Sequence, residues 1–239
     1  MPLAPEVLAS AETSVVIPVR NGARFVAQAA VSVLDQLAPG DELLAVDDGS
    51  VDGTLAALRG IDDPRLRVLC GGARGVSAAR NLGLAESRGA FVAFLDHDDL
   101  WVDGRHKALL RAMLDDGDLA AAFGRVRVLI EADAAPAAVA ACAAIDGSHV
   151  RELVGSALYR RDAVLAVGGF AEDMHMREDA DFSFRLLESG ARVIDCDVDA
   201  LTYRRHGDNV TNDQTAINQA LVELARRRLS RARGKRPPA

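Results

Sequence analysis

Short unbroken apolar runs alternate with amphipathic stretches along the first hundred residues. Residues 14–19 (SVVIPV) are continuous and β-branched, which predicts a strand covered on both faces. Downstream, Phe25, Val26, Ala29, Ala30, Val33, Leu34 and Leu37 recur at helical spacing, and Pro39-Gly40 ends that helix. The pattern then repeats. DELLAVDDGS (41–50) reads as a strand and polar turn, VDGTLAALRGI (51–61) as a short helix and LRVLC (66–70) as a third strand. GVSAARNLGLAESRG (75–89) is helical, with Gly89 placed to stop it. AFVAFL (90–95) is a fourth strand. Such alternation requires crossover connections, hence a mostly parallel sheet with helices on both faces.

After Trp101 the rhythm changes. GRHKALLRAMLDD (104–116) is a helix and LAAAFGRVRVLIEA (119–132) a strand region. RELVGSALYRRDAVLAVGGF (151–170) reads as a strand and a short helix. REDADFSFRLLESG (177–190) begins as a polar loop and becomes an amphipathic helix with Phe182, Leu186 and Leu187 inward. ARVIDCDV and ALTYRRHGDNVT are expected to close the sheet. A functional boundary near residue 100 separates a 12–100 half from a 101–212 half of one continuous sheet. Residues 213–239 form a C-terminal helix and tail. The Ala-rich segment 131–147 reads as a loop or weak helix.

The chain has 239 residues, 49% of them hydrophobic, enough for one large domain or two small ones. Its net charge of −7 argues against nucleic acid as a partner. The end is nevertheless basic: residues 226–236 read RRRLSRARGKR, either a solvated helix end or a weak contact with an anionic membrane surface. Three scattered cysteines without a C-x-x-C pair suggest reduced thiols. The first ten residues lack the features of a signal peptide, and no apolar stretch approaches the roughly 20 residues of a spanning helix. A cytoplasmic protein, at most peripheral to the inner face of the membrane, is expected.

Two acidic turns follow predicted strands: Asp47-Asp48-Gly49-Ser50 and Asp96-His97-Asp98-Asp99. Open parallel sheets bind ligands beyond the carboxyl ends of their strands, so parallel strands would bring both turns to one rim. The spacing of Asp96 and Asp98 directs two carboxylates to one side of an extended segment. Hard oxygen ligands of this kind suit Mg²⁺ or Mn²⁺ bridging to a diphosphate. Capping of a helix beginning near Asp103 would account for the same acids, and turn capping before Gly49 would account for Asp47 and Asp48.

Several ordered motifs, spanning roughly residues 12–212, resemble family 2 glycosyltransferases of the GT-A fold. They are SVVIPVRNG, LLAVDDGSVDGT, GVSAARNLGLAESRGAFVAFLDHDDLW, GSALYRRDAVLAVGGF, REDADFSFRLLESG and YRRHGDNVT. The resemblance implies a Rossmann-like three-layer α/β sandwich, a UDP-sugar donor, metal held by the D-x-D, and inversion at the anomeric carbon. It places Pro18 and Val19 against the nucleotide. Arg20 stands where the family commonly has a flat side chain, leaving open how the ribose packs. By the same resemblance Asp48 accepts the uracil N–H, Arg80 contacts base or diphosphate, Asp96 reaches ribose or metal-bound water, and Asp98 ligates the metal. His206 is a third ligand or a phosphate contact. Asp99 is expected to lead into the next helix and His97 to be structural. Asp179 is the implied catalytic base, with Glu178 orienting it or meeting the acceptor. Asp181 is the second candidate base, and an acidic first turn favoured by the helix dipole would explain all three acids.

The implied reaction is one in-line displacement, with Asp179 deprotonating the acceptor nucleophile and the cation neutralising the leaving diphosphate. The acceptor could be a glycan, a lipid-linked sugar, a peptide or a small molecule, and residues 125–175 would choose it. A sugar nucleotidyltransferase would need a Gly-rich, basic signature that VIPVRNGARF lacks, and a dinucleotide enzyme a G-x-G-x-x-G. A non-catalytic nucleotide-sugar-binding protein is the remaining alternative.

Overall fold

The computed structural model describes residues 12–134 and 142–234. The first eleven residues, residues 135–141 of the Ala-rich segment and the last five residues of the basic tail lie outside the described residues, as do the expectations attached to them.

Four strands, β1 (Thr13–Val19), β2 (Glu42–Asp47), β3 (Leu66–Cys70) and β4 (Phe91–Phe94), form the parallel half of an eight-stranded sheet. Helices α1 (Val26–Leu34), α2 (Thr54–Arg59) and α3 (Val76–Glu86) connect them. The second half adds β5 (Leu100–Trp101), α4 (Arg105–Asp115), β6 (Leu119–Ile130), β7 (Ala157–Arg160), α5 (Arg161–Ala166), α6 (Glu178–Glu188) and β8 (Arg192–Arg205). Helix α7 (Gln214–Gly234) follows. The strand order is β3-β2-β1-β4-β7-β6-β8-β5. β7 runs antiparallel to β4 and β6, while β6 and β8 are parallel to each other. The ends of β1, β2, β4, β6 and β8 therefore share one rim.

Alternation along β1 separates two cores. Val15 and Ile17 pack with Ala30 and Val33 of α1 and Leu109 and Met113 of α4. Val16 faces the other way, toward Ala79 and Leu84 of α3 and Phe182 and Leu186 of α6. This period-2 split of a wholly buried strand produces the three layers. Helix α3 lies especially close to β1, because a Cβ added at Gly83 would sit 2.3 Å from Val16 Cγ1.

Four details differ from the pattern-based reading. α3 ends at Glu86, before Gly89. Gly89 instead permits close approach to the start of β1: a Cβ there would lie 2.6 Å from the Glu12 carbonyl. The two expected closing segments form one 14-residue strand, β8. The two-residue β5 arises because Leu100 and Trp101 pair with Thr202 and Leu201, a partner too distant in sequence for local periodicity to register. Leu187 is only partly buried.

Much of the basic end is committed internally. On α7, Arg227 pairs with Asp173 and Glu223, Arg228 with Glu188, and Arg231 with both Asp181 and Glu188. Leu224 packs beside Met174 and Ala180, so α7 lies along the helix that begins with the acidic turn. Among the described residues no helix is long and apolar enough to cross a membrane.

Candidate active site

The rim gathers the polar turns. The backbone N–H of Asp48 donates to Val19 O (2.8 Å), and Asn21 is stitched to the turn after β2 through Ser50 Oγ and the Val51 N–H. Pro18 and Val19 are buried at the end of β1, while Arg20 is exposed. Asp48 is buried, and its two carboxylate oxygens accept the N–H groups of Arg74 (2.8 Å) and Gly75 (2.7 Å). It thus organises the turn that launches α3, where Gly75 takes φ 97°, a region that penalises a side chain. Asp47, also buried, makes only long contacts to the Ser50 N–H, at 3.3 and 3.4 Å.

Arg80, on α3, is the hub. It is 2% exposed and donates from Nη1 to Glu178 Oε1 (2.7 Å) and from Nη2 to Asp96 Oδ1 (2.5 Å). Its guanidinium also lies 5.1 Å from the centre of the Phe170 ring. Burial alone would lower its pKa, but Asp96, Glu178 and Asp179 together raise it, so the cation is secure.

None of the acids after β4 caps α4, whose N-cap is Gly104 without a side-chain hydrogen bond. Asp98 Oδ2 lies 3.0 Å from His206 Nε2 and accepts from Asn209 Nδ2 at 3.2 Å. Burial works against the Asp98 charge, but the His206 contact and nearby His97 outweigh it and lower the pKa. Asp99 is not a helix-entry residue: it is buried and accepts the Arg204 N–H (2.8 Å), pinning the turn to β8. Burial, then Asp98 and Asp96, push its pKa well above the carboxylate range. His97 seats against the first loop, since a Cβ at Gly22 would lie 2.4 Å from its ring.

At the start of α6, Asp179 is partly buried and accepts the Ala180 N–H (2.7 Å). Burial and then Glu178 push its carboxyl up to about 7, with Arg80 opposing. Asp181 faces elsewhere. It is 1% exposed and held by Arg185 (2.7 Å) and Arg231 (2.8 Å), so it is closed to a substrate.

A hard divalent cation asks for few protein ligands and completes its shell with water and phosphate. Asp98, with an imidazole beside it, fits that requirement. His206 Nδ1 accepts the Asp208 N–H at 3.2 Å, which assigns the proton to Nε2 and makes it a donor to Asp98. For His206 to ligate through Nε2, that proton must leave. Asp96, two residues before Asp98, is paired with Arg80, and its side chain is 43% exposed. Among the described residues no three His, Cys, Asp or Glu side chains are grouped as a metal site.

Pattern reading did not single out Asn209, which accepts the His206 N–H (2.6 Å) while donating to Asp98. Its presence in the GDNVT motif was the available signal. Nor did it single out the left-handed residues. Among the described residues, the non-glycines with positive φ are Asn21, Ala73 and Arg177, and all three border the site. Such strain costs about 1–3 kcal/mol per residue and clusters where function requires it.

The glycosyl transferase family 2 model matches residues 14–164. The chain is 34% identical over 102 residues to an Escherichia coli UDP-Glc:alpha-D-GlcNAc-diphosphoundecaprenol beta-1,3-glucosyltransferase, a match covering 42% of this chain and 40% of that protein. The chain thus spans under half the length of that relative. Staphylococcus aureus TarS 1–349 in complex with UDP-GlcNAc superposes with a TM-score of 0.68 at 19% identity, covering 84% of this chain and 61% of that one. The mannosyltransferase PcManGT of Pyrobaculum calidifontis, in complex with GDP-Man and Mn²⁺, gives 0.66 at 20% identity, covering 91% and 64%. At these identities the two structures establish the α/β architecture of the GT-A fold.

Proposed function

The chain belongs to glycosyl transferase family 2, and from that premise we propose that it transfers a sugar, with inversion, from a UDP-sugar to an acceptor nucleophile. One observation carries the reading: a single buried arginine joins the turn bearing Asp98 to the helix start bearing Asp179. Two chemistries that the reaction needs side by side, diphosphate binding and proton removal, thereby share one rim.

Each residue's task follows from its surroundings. Pro18 and Val19 offer the end of β1 to the nucleotide, and Asp48 shapes the adjoining turn while retaining lone pairs for a ring N–H. Asp98, with His206 beside it, would hold Mn²⁺ or Mg²⁺, which supplies positive charge to a departing diphosphate. Asp179 takes the proton of the attacking group. A carboxylate that titrates near neutrality is a stronger base than an ordinary aspartate and is still ionised in a useful fraction at pH 7–8. In-line attack needs no covalent intermediate, and no cysteine takes part.

The related E. coli enzyme is named for a diphosphoundecaprenol-linked acceptor, which supports a lipid-linked acceptor for this chain as well. A peripheral membrane position through the outward arginines of α7 accords with that acceptor. The test is release of UDP from UDP-glucose, UDP-galactose and UDP-N-acetylhexosamines with Mn²⁺ and a lipid-linked acceptor. Acceptor-dependent release that disappears in Asp179→Asn supports the proposal. Nucleotide-sugar binding without transfer to any acceptor would favour a non-catalytic binding protein.

A further inference from the structure

Resting on that reading, we propose that Arg80 is a positioning residue: it ties the turn after β4 to the start of α6, sets the spacing between donor diphosphate and base, and does not itself touch the donor. Its two Nη groups end on carboxylates 16 and 98 residues away in sequence, on different elements. A planar guanidinium can hold two such partners at fixed separation, whereas a lysine ammonium is a single point charge. The Arg80 side chain is only 3% exposed, so little of its guanidinium is open to a donor phosphate.

The rest of α3 acts as a rigid mount. Gly83 places the helix against Val16 too closely for any larger residue. The next residue, Asn81, exchanges hydrogen bonds with the backbone of Phe170, both at 2.8 Å, and so fixes the ring against which the Arg80 guanidinium lies. Consecutive residues of one helix thus grip two separate parts of the second half. The gripped end of α6 needs holding. Arg177, immediately before Glu178, sits at φ 61°, a left-handed conformation that a non-glycine residue adopts at a cost. The Arg80–Glu178 pair acts on the very next residue and opposes relaxation of that turn, which would swing Asp179 away from the rim.

The test uses Arg80→Met and Arg80→Lys in the full chain, in two arms. In the transfer assay, Arg80→Met is expected to lower kcat at least 30-fold with donor KM within threefold, and Arg80→Lys to fall between it and the parent. In metal-free melts at pH 8, Asp179→Asn is expected to raise Tm at least twice as much in the Arg80→Met background as in the parent, because contacting groups couple. If Arg80→Met does not fold, Arg80→Lys carries both arms, with the same signs and smaller size. A tenfold rise in donor KM with kcat retained would overturn the proposal in favour of direct donor contact. Parental kcat or strictly additive Tm changes would overturn it as well. The melts need no turnover, so a parent that transfers nothing refutes the glycosyltransferase reading while Arg80 is still decided.

Discussion

Replacing the proposed base should make the metal-free protein more stable, and only at neutral or alkaline pH. In the fold, the Asp179 carboxyl is pushed from its ordinary 3.8 to about 7, chiefly by burial and then by Glu178. The folded state therefore keeps a proton that the unfolded chain has already released between roughly pH 4 and pH 7. Stability from this group is present at low pH, is lost as pH rises through that window, and the penalty is complete above it. A gap of this size corresponds to at most ~4 kcal/mol. Asp179 retains some solvent access, so we take ~1–3 kcal/mol as the expected cost at pH 8, with about a quarter of it at pH 4.5. Asparagine matches the shape and cannot ionise. Calorimetry on metal-free Asp179→Asn should show a Tm about 3–10 °C above the parent at pH 8. At pH 4.5 the two proteins should nearly coincide. Equal or lower Tm at pH 8, or the same rise at both pH values, would refute a carboxyl pushed up to about 7 by its surroundings. The expected pairing of higher stability with lost transfer is the trade that active sites commonly make.

Other outcomes follow from the same geometry. Asp179→Asn should lower kcat by about 10²–10⁴-fold while leaving donor affinity within a few-fold, as judged by titration calorimetry. Transfer by the parent should rise about tenfold between pH 6 and pH 8, following ionisation of a group near 7 in the free enzyme; a flat profile would remove Asp179 from the role of base. Asp98→Asn should abolish the difference in UDP affinity with and without Mn²⁺, measured against EDTA. Gly83→Ala should destabilise by ~1–3 kcal/mol, read as a lowered urea midpoint, because its Cβ would meet Val16 at 2.3 Å. Arg231→Ala strips one partner from buried Asp181 and loosens α7 from α6, so a loss of about 1–3 kcal/mol is expected in the same measurement.

The alternation of buried runs and amphipathic segments was enough to read the parallel half of the sheet and its crossovers. Each element there is local, and strands buried on both faces leave an unbroken apolar signature in SVVIPV and AFVAFL. The two acidic turns were legible for the same reason, since they interrupt that signature at strand ends. What local reading could not supply was partnership. Asp99 belongs to the Arg204 N–H across 105 residues, and nothing in DHDDLW announces it. Asp179 and Asp181 look alike in REDADF, yet the packing of α7 encloses Asp181 between two arginines and leaves Asp179 at the rim. Arg80 reads as a base or diphosphate contact by resemblance, or else as a surface helix residue, and its pairing with Asp96 and Glu178 comes only from the fold. Sequence by itself determined the fold class, the shared rim and the kinds of side chain found there, because hydrophobic period and strand direction are local properties. Only the tertiary structure decided which acid is buried, which is paired and which keeps solvent access, because charge, desolvation and hydrogen bonding depend on neighbours that the chain brings together from far apart.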